Sequence, residues 1–99
     1  MELNELTEKL NSSDKPVLLD FFATWCGPCR MQKPILHDFI EEHADKLELI
    51  TIDVDESQDA AQKYGVQSIP TLVLIRNGEV AQRRVGVQTK EALLEMLTS

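Results

Sequence analysis

Ninety-nine residues suffice for one hydrophobic core and one active centre, and are too few for two. An apolar share of 42% beside 27% charged residues argues against a disordered chain, and no apolar run reaches the length of a membrane-crossing helix. Ten basic against seventeen acidic side chains leave a net charge of −7, which disfavours nonspecific binding to nucleic acid or anionic membranes. At the start of the chain, Met1-Glu2-Leu3-Asn4-Glu5 lacks the basic start and apolar core of a signal peptide, so the cytosol is the expected compartment. Asn4 is expected to cap a short helix whose apolar side is Leu6 and Leu10, with Leu3 at its entrance. The breaker-rich run from Asn11 to Pro16 ends it, and residues 17–23, Val-Leu-Leu-Asp-Phe-Phe-Ala, read as a fully buried strand. A helix then begins near Pro28, carrying Met31, Ile35, Leu36, Phe39 and Ile40 at helical spacing, and Pro34 is expected to interrupt and kink it about two turns later.

Residues 47–54 suit a second strand, alternating apolar and polar towards their end. Asp55 with Gln58 three positions later resembles a capping box, opening a helix that Gly65 closes in a left-handed conformation. Residues 71–75 and 80–85 flank Arg76-Asn77-Gly78-Glu79, and Asn-Gly is the preferred pair for a two-residue type I′ hairpin turn. Residues 89–97, with Leu93, Met96 and Leu97 on one side, form a terminal amphipathic helix. A strand, helix, strand unit followed by an antiparallel hairpin and a helix predicts an α/β fold: a mixed sheet with helices on both faces.

The only two cysteines stand in Trp25-Cys26-Gly27-Pro28-Cys29, where strand turns into helix. Two intervening residues put both sulfurs within bonding reach across one helical turn, which makes a C-x-x-C in this setting the mark of a dithiol redox site. A zinc half-site and an inert pair are the competing readings. Structural zinc takes about four protein ligands. Only His37 and His43 remain as nitrogen donors, about 240° apart around one helix, so they converge poorly on one ion and are expected to be solvated. In a reducing compartment one cysteine pair is a better catalytic centre than a staple.

Four separated pieces carry a resemblance along nearly the whole chain: Asp20-Phe21-Phe22-Ala23, Trp25-Cys26-Gly27-Pro28-Cys29, Ile69-Pro70-Thr71, and Asn77-Gly78 with Val85-Gly86. In these the chain resembles the thioredoxin family. The likeness implies one thioredoxin domain over residues 1–99 that reduces protein disulfides through Cys26 and Cys29, is recharged by thioredoxin reductase, and uses no cofactor or metal. Cys26 at the helix N-terminus is then the thiolate nucleophile, and Cys29 the buried resolving thiol. The Gly27-Pro28 pair goes with the reducing members of the family, and Pro28 fixes φ for helix entry. A thiol oxidase or isomerase, and a noncatalytic binding module, are the rival readings.

Asp20 lies on an apolar strand beside Leu18 and Phe22, so it is either a paired buried carboxylate or, as the resemblance implies, a proton acceptor beneath Cys29. Many family members carry a lysine on the neighbouring strand where this chain has Thr51, and without that ammonium burial should raise the Asp20 pKa. Trp25 and the stretch from Val66 to Pro70 are candidate substrate contacts. By resemblance the Ile69–Pro70 bond is cis and faces the dithiol, the backbone before it pairs with substrate, and Gly86 completes the groove. The extra N-terminal edge strand common in the family is expected to be absent or vestigial. That leaves about four strands in the order 47–54, 17–23, 71–75, 80–85, and a monomer whose edge strand is guarded by Glu48, Asp53 and Asp55.

Overall fold

The computed structural model describes residues 1–99. Four strands, β1 (Val17–Phe22), β2 (Glu48–Asp53), β3 (Thr71–Arg76) and β4 (Glu79–Val85), form one sheet in the order β2-β1-β3-β4. β2 runs parallel to β1, while β3 is antiparallel to both β1 and β4, so the sheet is mixed as expected. The two central strands, β1 and β3, are buried along five of their six residues, because helices cover both faces of the sheet. Helices α1 (Leu3–Ser12) and α3 (Gln58–Lys63) cover one face, and α2 (Gly27–Glu42) and α4 (Lys90–Thr98) cover the other.

Each face builds its own core. Leu6, Leu10, Leu19, Phe21, Ile52, Tyr64, Val73 and Ile75 meet on the first. Leu18, Leu36, Phe39, Leu72, Leu74, Leu93 and Met96 meet on the second. Each such side chain, fully withdrawn from water, contributes about 1.5–3 kcal/mol before conformational entropy is subtracted. The hairpin turns at Asn77 and Gly78, whose φ values of 53° and 80° are those a type I′ turn requires, and Ala81 bulges out where the register shifts between Leu74 and Ile75. No helix is long and apolar enough to cross a membrane.

Three local expectations need correction. α1 starts at Leu3 rather than after Asn4: Glu2 is the extended residue before it, with no side-chain cap, and Asn4 sits inside the first turn. Leu3, half-buried, packs against the first core, which favours the earlier start. α3 opens after Ser57, not through a capping box from Asp55, although Gly65 follows it with φ 65° as expected. α2 is not interrupted at Pro34. Proline there frees one backbone carbonyl. The helix persists because Cys29 and Gln32 on one side of Pro34, and Leu36 and Phe39 on the other, are all buried against the body of the protein.

Candidate active site

β1 ends at Phe22, and its direction delivers the chain through a tight turn, with Cys26 N–H donating to the Ala23 carbonyl at 3.2 Å, to the start of α2. Cys26 is the N-cap residue of α2, in extended conformation, and its Sγ accepts a 3.2 Å hydrogen bond from the Cys29 backbone N–H. A sulfur therefore takes the place that a serine or aspartate oxygen usually fills, satisfying one of the helix's free N–H groups. The same N–H and the positive end of the helix favour negative charge on that sulfur. Pro28, in the first helical turn, lacks an N–H that would be free there. Cys26 and Cys29 are joined as a disulfide, with Cα atoms 5.3 Å apart, and are only 4% and 8% exposed. Beside them Trp25 is 66% exposed, and its indole Nε1 donates to Asp55 Oδ2 at 2.8 Å.

Two loops face the dithiol. The Ile69–Pro70 peptide bond is cis, and the Ile69 carbonyl oxygen lies 3.9 Å from Cys26 Sγ. The next loop is tied to it, since Gly86 N–H donates to the Pro70 carbonyl at 2.8 Å. Gly86 has φ 90°, a conformation that side chains resist, and a Cβ there would point into open space. The backbone therefore demands glycine at a position expected from the resemblance to need one for close approach.

Asp20 sits behind this rim, opposite Thr51 of β2 and Leu72 of β3. It is 7% exposed, and its Oδ1 has no hydrogen-bond partner. Desolvation raises its pKa from 3.8 to about 6. Asp20 and Cys29 line the same cavity of about 190 Å³, together with Lys33 and His37 of α2 and Thr51 of β2. The expectation of a destabilised carboxylate opposite Thr51 is borne out.

The whole chain, residues 1–99, matches the family model described as Thioredoxin. The chain belongs to the thioredoxin family. It is 51% identical over 86 residues to the thioredoxin of Bacillus subtilis (strain 168), covering 87% of this chain and 83% of that one. With the thioredoxin of Alicyclobacillus acidocaldarius it shares 49% over 80 residues, 81% of this chain and 76% of that one. Its structure is similar to that of oxidized mitochondrial thioredoxin 3 from Saccharomyces cerevisiae, with a TM-score of 0.89 and 34% identity, covering 98% of this chain and 89% of that one. Membership of the thioredoxin family and the paired Cys26 and Cys29 make the protein a thiol-disulfide oxidoreductase.

Within this thioredoxin fold Cys26, Cys29, Trp25, Ile69, Pro70 and Gly86 stand around one rim, and Asp20 lies beneath it. Sequence reasoning missed Asp55, the anchor of Trp25, because the two are 30 residues apart and no pattern links them. It also passed over Gln32, which is fully buried. The signal was present: Gln32 falls on the apolar stripe with Leu36 and Phe39, where a polar side chain needs a partner. His43 is not simply solvated, since its ring stacks on Phe39 with centroids 4.1 Å apart and its Nδ1 lies 2.8 Å from the Phe39 carbonyl oxygen.

Proposed function

We propose that this protein, as one domain over residues 1–99, reduces disulfides in client proteins and is recharged by thioredoxin reductase. Cys26 thiolate attacks one sulfur of the client disulfide, forming a mixed disulfide and releasing the first client thiolate. Cys29 then attacks Cys26 Sγ; the Cys26–client bond breaks, the second client thiolate leaves, and Cys26–Cys29 is left oxidised. Two electrons from the reductase restore the dithiol. The observation that carries this assignment is the Cys29 N–H held 3.2 Å from Cys26 Sγ at the N-cap, which stabilises charge on Cys26 and not on Cys29.

Asp20 accepts the Cys29 proton in the resolving step. With a pKa of about 6 it is mostly ionised at neutral pH and still a competent base, and the cavity it shares with Cys29 has room for water to bridge them. Trp25, Gly27 and Pro28 on one side and Ile69, Pro70 and Gly86 on the other bind the client as an extended segment, with the Ile69 carbonyl oxygen next to Cys26 Sγ as its backbone partner. The protein acts as a cytoplasmic monomer in electron transport and cell redox homeostasis, with no role for nucleic acid or membrane. Glu48 and Asp53 on the outer strand, and Asp55 after it, support the monomer by repelling a second copy. Equilibrating the dithiol against glutathione tests the direction of electron flow: a potential near that characteristic of thioredoxins, about −270 mV, is what family membership implies, whereas about −120 mV would make the protein an oxidant.

A further inference from the structure

Gln32 lies on α2 one turn beyond Cys29 and is completely buried. A buried side-chain amide is tolerated only when its polar atoms find partners. Both of its polar atoms engage one distant residue: Nε2 donates to the Gln88 carbonyl at 3.1 Å, and Oε1 accepts from the Gln88 N–H at 2.6 Å. The amide thus substitutes for a neighbouring strand, binding both backbone groups of Gln88 in the irregular segment 86–89 between β4 and α4. Gln88 in turn folds its own Nε2 back onto the Gly86 carbonyl at 3.0 Å. Gly86 is bonded to Pro70, and Ile69 touches Cys26 Sγ. These contacts close a ring that starts and ends on the active-site helix.

We propose that Gln32 is a positioning residue for client binding: by clamping Gln88 it sets the distance between the Gly86 loop and the dithiol, and so the width of the client groove. The inference rests on the reading of Ile69, Pro70 and Gly86 as that groove. Gln32 touches neither sulfur and no client. It acts through Gln88 and Gly86, and its influence falls on clients long enough to reach that loop. A disulfide too small to reach it feels only Cys26.

The test compares a protein disulfide, insulin, with a small aromatic disulfide as substrates of the wild type, Gln32→Met and Gly86→Ala. Methionine matches glutamine in length and cannot form the clamp. For Gln32→Met we expect KM for insulin to rise about tenfold with kcat retained, and the insulin to small-disulfide ratio of kcat/KM to fall by a similar factor. Amide exchange should show Gln88 N–H newly unprotected in this variant, with Cys29 N–H still protected. Gln32→Glu supplies a rescue: its protonated carboxyl can both donate and accept, so its insulin KM should lie near the wild-type value in acid and rise with pH more than the wild type's does. If Gly86→Ala raises KM for insulin and Gln32→Met does not, the inference fails and the groove stands. If neither variant changes KM for insulin, the groove reading fails and the inference falls with it. Equal losses on both substrates in Gln32→Met would show a general structural defect and overturn the positioning role.

Discussion

Replacing Asp20 by asparagine should make the protein more stable at neutral pH, with the gain disappearing in acid. The carboxyl is buried, its Oδ1 has no partner, and desolvation lifts its pKa from 3.8 to about 6. At neutral pH the folded chain must hold a carboxylate that the unfolded chain would hydrate freely. At about 1.36 kcal/mol per pH unit, ionising it in the fold costs about 3 kcal/mol at pH 7. Below the ordinary value both states carry the neutral acid and nothing is lost. Between 3.8 and about 6 the folded state binds the extra proton, so wild-type stability falls as pH rises, and above 6 the loss is complete. Asparagine does not titrate, and its amide adds only an offset independent of pH. Urea titrations of the oxidised wild type and Asp20→Asn therefore isolate the carboxyl. With an m-value of about 1.5 kcal/mol/M, the gap between midpoints should widen by about 2 M from pH 4 to pH 8. A gap that stays constant over that range would refute desolvation as the dominant influence on Asp20.

Cys26→Ser should abolish attack on client disulfides, while Cys29→Ser should accumulate as a mixed disulfide visible by mass; capture by Cys26→Ser alone would reverse the assignment. The Asp20→Asn protein should also turn over at least about tenfold more slowly with KM little changed, and unchanged stopped-flow rates would remove the carboxyl from proton transfer. Thr51→Lys, which sets an ammonium opposite Asp20, should lower the Asp20 pKa and flatten the fall in stability as pH rises from 3.8 to about 6 in the same urea titrations. Asp55→Ala should release the Trp25 indole, shift its fluorescence and raise KM for insulin by up to about tenfold, the worth of one hydrogen bond at an exposed site; an unaltered KM would leave that contact without a role in binding. Because Glu48 and Val54 donate backbone hydrogen bonds to Pro16 and Phe22, Leu49, Thr51 and Asp53 turn their N–H groups to the free edge and should exchange quickly, while Ile50 and Ile52 stay protected. Uniform protection along β2 would mean that another chain covers that edge.

The parts of the fold that were legible are those written in local chemistry. Asn77-Gly78 announced the hairpin because few other pairs accept two positive φ values in succession. The unbroken apolar run of β1 announced a strand covered on both faces. The four-strand order followed from placing these units in the thioredoxin pattern. The failures share a cause: a plausible local signal was overridden by tertiary contacts. Asp55 fits a capping box on paper, yet its carboxylate is held by Trp25. Asn4 could cap a helix, yet packing Leu3 against the first core favours a start ahead of it. Pro34 should break a free helix, but α2 is held down on either side of it. The dithiol, its facing loops and Asp20 were all readable, whereas the clamp from Gln32 to Gln88 spans 56 residues and leaves no trace in local pattern beyond one polar residue on an apolar stripe.

Gly27 differs from the other glycines of the chain. Its φ is not positive, and a Cβ added there would meet no atom within 4 Å outside its two chain neighbours. With Pro28 it is exposed, and the small apolar cluster of Ala23, Cys26 and Cys29 joins the first core only through the partly buried Val54 and Ile69. The rest of the fold therefore places no steric claim on position 27, and the constraint there is local: Gly27 opens α2 directly ahead of Pro28, whose ring disfavours helical backbone in a preceding residue that carries a Cβ. A substitution at that one position would weigh a change at the dithiol against the entry of α2 alone, with both cores untouched. The adjustable position lies in the centre of the chemistry, at the first residue of the helix that holds both sulfurs in place.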